Sequence, residues 1–582
     1  MGHANIDVTA DLQDPDCPKH PPKSGFYVYM LAVAAAMGGF LLGYDSGIVS
    51  AAMLYVPDVS EMKPMSTVWK EMIVAIIPAW AGIGALIAGR VSEKFGRKKS
   101  VLVTSFMFTI GALICSAALN KIMLLVGRVL IGFATGFATT IAPVYIAEVS
   151  NANVRGRLLL MLQIMWAIGL KLSNLIGASF SYVDPYNVGW RLMFGFAAIP
   201  SFVQFIGFLF LPDSPKWLYK NRRESECFQV LQDVYCQDKE WVTYEFEKIK
   251  RDNARTKEEQ NTFDTIWRIL RTPHIRKALL IGCALQIFSQ LCGATMVNYY
   301  IGTIIKSAGV TNNHLSIWLS FSVTLPNLLI TSSSSFFIDR FGRRPLLLVS
   351  TTLTLIALLF VSGSFLLINK ESASVIRLGD SMNGSTYNST YEYFHRCNAY
   401  KNCDYCVEDS NCGFCAQTSE VKHSGYCFPV MDHHAETQSS TGFCSSPTSS
   451  NTNFTHFYNG TTYEWMNSYC KTDFTALPIV LMIIFECCFA SGLSSMPWVL
   501  NGEFYPFWAR STCVSIAIFS YWMFNLLVSL TFLSLNETIT KFGTFFIYAG
   551  CTFIGLIFFI FFVPETKGKS LEDVENLFKK KK

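Results

Sequence analysis

Asp45 and Arg128 stand inside long apolar stretches of the chain, where an ionisable side chain at the centre of a membrane helix costs at least roughly 2.5–3.5 kcal/mol. That cost makes each a functional candidate. Asp45 lies in Gly43-Tyr44-Asp45-Ser46-Gly47, and Arg128 lies near the start of another apolar stretch. The chemistry open to such a carboxyl is proton binding, because burial favours a carboxylate's neutral form and a nearby cation its charged form. Lys171 and Glu486 read more blandly. Lys171 is about ten residues from the outer end of its stretch, so its stem can carry the ammonium to the surface. Glu486 reads as a residue close to the membrane interface.

A second kind of chemistry is carried by amides in otherwise apolar segments: Gln163, Gln286, Gln290, Asn298, Asn327 and Asn525, with the aromatic Trp498. A site for a polyhydroxylated solute needs such groups for its hydroxyls and an aromatic face for its C–H surface. The competing reading is that these residues only join helices by hydrogen bonds.

The elements that must position these residues are membrane spans. The 582 residues are 51% hydrophobic and only 15% charged, and the apolar residues come in blocks of about 20, enough to cross a hydrocarbon core. Twelve helices are expected near 27–54, 72–92, 101–119, 122–146, 157–181, 191–211, 276–306, 314–338, 345–368, 474–500, 509–533 and 541–563. Residues 1–26 read as a cytoplasmic N-terminus with no cleavable signal, 27–211 as a first six-helix bundle and 212–275 as a cytoplasmic linker with short helices. Helices seven to nine (276–368) and ten to twelve (474–563) form the second bundle, followed by a cytoplasmic tail, 564–582. Lys94, Arg97, Lys98, Lys99, Arg340, Arg343, Arg344 and Lys579 to Lys582 all fall on one side, which the positive-inside rule makes cytoplasmic. The fold class is therefore an all-α polytopic membrane protein in two six-helix halves.

Residues 369–473 break the pattern. Eight of the 18 cysteines are there, Cys397, Cys403, Cys406, Cys412, Cys415, Cys427, Cys444 and Cys470, with sequons at Asn383, Asn388, Asn453 and Asn459. A fifth sequon, Asn536, is expected between helices eleven and twelve. A dense, even cysteine set beside sequons reads as a glycosylated disulfide framework outside the cell; zinc on the Cys-x2-Cys pairs is the weaker alternative. Eight cysteines allow 105 pairings, which the spacing leaves open.

The chain also repeats itself. Gly89-Arg90-Val91-Ser92-Glu93-Lys94-Phe95-Gly96-Arg97-Lys98-Lys99 returns as Asp339-Arg340-Phe341-Gly342-Arg343-Arg344. Glu148 with Arg155 returns as Glu503 with Arg510, and Pro212-Asp213-Ser214-Pro215 as Pro564-Glu565-Thr566-Lys567. Glu93 to Asp339 spans 246 positions but Glu148 to Glu503 spans 355, so the cysteine-rich stretch is an insert into a symmetric frame. The charges Glu93, Arg97, Glu148, Arg155, Asp213, Asp339, Arg340, Arg343, Glu503, Arg510 and Glu565 are expected to pair across the bundles at the cytoplasmic face and clamp one access state shut. Orientation and lipid contact are the plainer alternative.

These motifs, with Pro143-Val144-Tyr145-Ile146-Ala147-Glu148 and Arg155-Gly156, resemble the sugar-porter family of the major facilitator superfamily over almost the whole chain outside the insert. An insert between helices nine and ten, with Pro497-Trp498-Val499-Leu500-Asn501-Gly502-Glu503 and Trp508-Ala509-Arg510-Ser511-Thr512, is similar to the proton–myo-inositol cotransporter branch. The cysteine pattern resembles a plexin–semaphorin–integrin-type module, a surface for an extracellular protein partner.

The resemblance implies that Asp45 and Arg128 face each other and couple proton uptake to transport, with a static salt bridge as the alternative. It implies a solute site at Gln163, Gln290, Asn327, Trp498 and Asn525. The family's first helix-seven glutamine is Ser289 here and its asparagine is Thr295, with Asn298 one turn on as a substitute; its helix-ten glutamate is Ala490. The expectation is a proton-driven symporter of a cyclic polyol, best guessed as myo-inositol, in the plasma membrane. The alternatives are a facilitative hexose carrier and, against the roughly eighteen residues after Pro564, a solute-sensing receptor. No phosphate loop or nucleophile motif stands in a credible setting, so no enzyme, cofactor, metal or nucleic-acid partner is expected.

Overall fold

The computed structural model describes residues 18–579 apart from 19, 24, 257–261, 378–388, 410, 418–423, 431–437, 446–454, 459–460, 468 and 568–570. Its frame is helical throughout the apolar blocks. Spans one to five are Phe26–Ala52, Thr67–Phe95, Arg97–Ser116, Lys121–Val149 and Ala152–Phe180. Span six is stepped, with Trp190–Gly195 followed by Ala198–Phe210. Span seven breaks at Cys292 and Gly293 into Pro273–Leu291 and Ala294–Ser307; span ten breaks into Ala476–Ala490 and Met496–Glu503. Spans eight, nine, eleven and twelve are Asn313–Phe341, Arg343–Glu371, Phe507–Ile539 and Lys541–Phe562. The protein has the major facilitator fold: twelve spans in two six-helix halves, with a disulfide-rich insert between spans nine and ten.

Local chemistry sets several of these helices. Asn120 caps span four by accepting from the Met123 amide at 2.8 Å. Spans one and five meet through small residues: a Cβ on Gly43 would sit 2.0 Å from the Trp166 carbonyl oxygen. That close approach fixes the face on which Asp45 can turn inward.

One end of the bundle carries the linker and both tails. There Asn151 bonds the Lys23 carbonyl, Trp217 bonds the Glu93 carbonyl and His274 meets Glu575. Linker helices Pro215–Lys220, Glu224–Val234 and Lys239–Thr256 bury Trp217, Leu231, Val234 and Trp241 in one apolar cluster with the first half. The opposite end carries the insert. Its antiparallel sheet has the order β2-β1-β4-β3, with β1 Cys412–Gln417, β2 Gly425–Pro429, β3 Thr455–Tyr458 and β4 Thr461–Met466. Disulfides join Cys397 to Cys412, Cys403 to Cys470, Cys406 to Cys427 and Cys415 to Cys444.

The insert docks on the membrane frame by polar contacts. Asp404 takes the Lys541 ammonium at 2.9 Å and the Asn369 amide at 2.9 Å, and Glu408 accepts from the Lys541 backbone N–H at 3.1 Å. Asn536 corrects one expectation. Span eleven runs to Ile539, so this sequon lies in the helix's last turn rather than in a loop. The other four sequon asparagines lie outside the described residues.

Candidate functional site

At the centre of the first half, Asp45 Oδ1 stands 3.5 Å from Arg128 Nη1, the two residues 4% and 1% exposed. Arg128 Nε also donates to the Ile73 carbonyl, and the guanidinium lies over the Phe194 ring at 5.8 Å. Span four thus anchors the arginine on span two, while the acid comes from span one. A carboxyl and a guanidinium at this separation in a buried setting can exchange a proton-dependent attraction.

The second half holds the amides. Asn525 Nδ2 donates to Gln290 Oε1 at 3.1 Å, and the Tyr521 hydroxyl lies within reach of Thr295, Asn525 and Gln290. Trp498 packs edge-on against Tyr521, ring centroids 5.2 Å apart. Tyr299 reaches Asn525 and Ser46, which places span one's Asp45 in the electrostatic neighbourhood of this cluster. Tyr299 and Tyr521 were missed by sequence reading. Tyr521 was findable, since it lies one turn before Asn525 on the same face.

Asn298 and Asn327 belong elsewhere. Both amides donate to the Glu486 carboxylate, at 3.4 Å and 2.8 Å. In this structure Asn298 thus bonds Glu486, while Thr295 bonds the Tyr521 hydroxyl. Glu486 is 0% exposed rather than interfacial, and Lys171 is 5% exposed rather than snorkelling outward. Gln163 is half-buried on span five and Gln286 is buried on span seven.

The repeated charges at the linker end form two matching locks. Asp213 accepts from the backbone N–H groups of Arg97 and Lys98 at 2.9 and 3.3 Å, and Arg97 Nε lies 2.9 Å from Glu148. Glu565 accepts from Arg343 and Arg344 at 3.1 and 3.0 Å, and Arg343 Nε lies 3.3 Å from Glu503. Each acid thus satisfies the open N-terminus of span three or nine. Burial pushes the Asp213 carboxyl up despite these bonds.

The Arg97–Glu148 and Arg343–Glu503 pairs differ from the expected pattern, because each joins two residues of the same half. The Glu93 carboxylate is exposed, Arg155 bonds the Ser150 carbonyl at 3.4 Å, Arg340 offers its carbonyl to Lys567, and Arg510 is half-buried. The Asp339 side chain lies outside the described residues. Among the described residues, bonds that join the halves at the insert end are Gly302 N–H to Ser50, Asn313 to the Leu54 carbonyl, Ser534 to Glu71, and His314 with Ser181; Asn174 to Thr324 and Tyr299 with Ser46 join them deeper in.

The sugar (and other) transporter family profile matches residues 31–383 and 454–578, leaving out most of the insert. The chain is 48% identical over 571 residues to the proton myo-inositol cotransporter hmit-1.1 of Caenorhabditis elegans, covering 97% of this chain and 92% of the relative. It is 35% identical over 554 residues to the proton myo-inositol cotransporter of Homo sapiens, covering 95% and 82%. Among solved structures it is similar to the proton:xylose symporter XylE bound to 6-bromo-6-deoxy-D-glucose, with TM-score 0.66 and 20% identity over 95% of this chain and 99% of that one.

Proposed function

The chain belongs to the sugar (and other) transporter family, and from that premise we propose that it is a proton-coupled symporter of a cyclic polyol, myo-inositol, working by alternating access. The observation that carries the proposal is the buried Asp45–Arg128 pair at 3.5 Å, together with the naming of relatives 48% and 35% identical as proton myo-inositol cotransporters.

In the mechanism, protonation of Asp45 weakens its attraction to Arg128 and frees span one from span four. Gln290, Thr295, Trp498 and Asn525 hold the solute, with Gln163 of span five contributing from the first half. Tyr299, between Asn525 and Ser46, links solute occupancy to the acid's span. The linker end is taken as cytoplasmic and the insert end as external, with the membrane the plasma membrane and glycans on Asn383, Asn388, Asn453 and Asn459. On that orientation, the bonds of Ser50, Leu54, Glu71 and Ser181 to the second half close the external access. The paired locks then hold each half's linker-end charges together as the halves rock.

The test is uptake of labelled myo-inositol and of glucose by cells displaying the chain, at external pH 5.5 and 7.5. Inositol uptake that rises with acidity supports the reading. Glucose uptake indifferent to pH would replace it with a facilitative hexose carrier.

A further inference from the structure

Lys171 and Glu486 belong to different halves, on spans five and ten, and both are shut away from solvent. Glu486 has a defined seat, with Asn298 donating to one carboxylate oxygen and Asn327 to the other. Lys171 has none. Its Nζ is buried and makes no hydrogen bond, although it feels the Glu486 charge. The two charged groups do not meet directly: Lys171 Nζ and the Glu486 carboxylate are not within 4.0 Å of each other.

The surrounding contacts place them at one level. Asn174 on span five donates to Thr324 on span eight at 3.2 Å. Spans five and eight run in opposite directions, so one turn further toward the linker end brings Lys171 on one helix and Asn327 on the other. Lys171 therefore confronts the Asn327–Glu486 pair across the boundary between the halves. It sits just inside the insert-end contacts. A buried ammonium with no hydrogen-bond acceptor is costly, and a ligand oxygen relieves that cost.

We propose that Lys171 and Glu486 are specificity-determining solute contacts, with one hydroxyl of the polyol seated between them. Its oxygen accepts from Lys171 Nζ and its O–H donates to Glu486. This rests on the polyol-transport reading and deepens it. A hydroxyl suits this pair because it both accepts and donates, which a C–H or an ether oxygen cannot do. Asn298 and Asn327 act as positioning residues that hold the carboxylate. A site built this way rejects an analogue lacking the one hydroxyl, because the charged pair would then stay unmatched.

The experiment measures KM and maximal rate for myo-inositol and for its single-deoxy analogues in surface-expressed wild type and Lys171→Met. The Lys171→Met/Glu486→Gln double variant is run alongside, removing both charges together in case the lone acid impairs folding. The expected result is an increase in KM for myo-inositol of about tenfold or more. One deoxy analogue should be transported by wild type and variant with nearly equal KM, because each change removes the same bond. If every analogue and the parent lose the same factor, or if KM is unchanged in a variant that reaches the surface, the contact does not exist. Wild type that moves no polyol at all would instead defeat the transport reading on which the proposal stands.

Discussion

The two halves of the molecule are alike at the linker end and unlike at their centres. Asp213 and Glu565 occupy equivalent seats, each taking two backbone N–H groups at the start of a helix, and each lies beside an arginine–glutamate pair. Midway along the spans, the first half offers a carboxyl and a guanidinium, whereas the second offers Gln290, Asn525 and Tyr521. The helix-start problem is the same in both halves, since every helix leaves its first amides unsatisfied, and so is the solution. The central chemistry has no such shared demand. On the proposed function this contrast is an unequal division of labour: the first half's Asp45–Arg128 pair handles the proton, and the second half supplies most of the groups that hold the solute, with Gln163 and Lys171 added from the first.

The largest expected effect tests that division. Arg128→Gln should cut inositol uptake about a hundredfold and remove its pH dependence, whereas Gln290→Leu should raise KM about tenfold and leave the pH profile in place. Uptake assays at several pH values decide between this and a shared site, in which both variants would shift both quantities.

A smaller effect separates the matching locks. Gly96 and Gly342 hold φ of +97° and +94°, a region open essentially to glycine alone. A Cβ on Gly96 would come within 2.2 Å of Asp213 Oδ2, but one on Gly342 only within 2.9 Å of Glu565 Oε2. Gly96→Ala should therefore cost about 1–3 kcal/mol, and Gly342→Ala less. Thermal unfolding in detergent gives the order; the reverse order would mean the first lock is the more yielding one.

The smallest effect lies outside both halves. Glu408 is held at about 7, first by burial and then by the Asp404 charge, against the opposing pull of Lys541. Its proton affinity is higher docked than undocked, so the docked insert binds more protons between the ordinary carboxylate range and about 7. Docking stability should fall as pH rises through that window. Hydrogen exchange across 402–408 at pH 5 and 8 should show faster opening at pH 8, and Glu408→Gln should flatten the difference. Equal protection at both pH values would remove Glu408 from the docking account.

Much of this was legible in residue order. Hydropathy located the apolar blocks, and among the described residues eleven are helices long and apolar enough to cross a membrane, the tenth span being split into shorter helices. It could not show that spans seven and ten break, because the halves of a broken span are as apolar as an unbroken one. The Arg97–Glu148 and Arg343–Glu503 pairs could be named as charges but not assigned partners, since a repeat reveals equivalence and not contact. Lys171 and Glu486 were misread for a related reason. Depth along one helix does not tell whether a charge turns toward lipid, water or an opposite charge on another half. One lysine and one glutamate left over in opposite halves was the available signal. Asn298's contact with Glu486 was hidden in the same way, because spacing within span seven says nothing of what span ten brings beside it.

The measurement that tests the central claim most directly is inward current at fixed voltage, in cells with the chain at their surface, as myo-inositol is added at external pH 7.5 and then 5.5. Asp45→Asn is recorded beside the wild type. The account predicts an inositol-evoked current that grows with acidity in the wild type and is lost in Asp45→Asn. Inositol uptake without current, or an undiminished acid-stimulated current in Asp45→Asn, would contradict it.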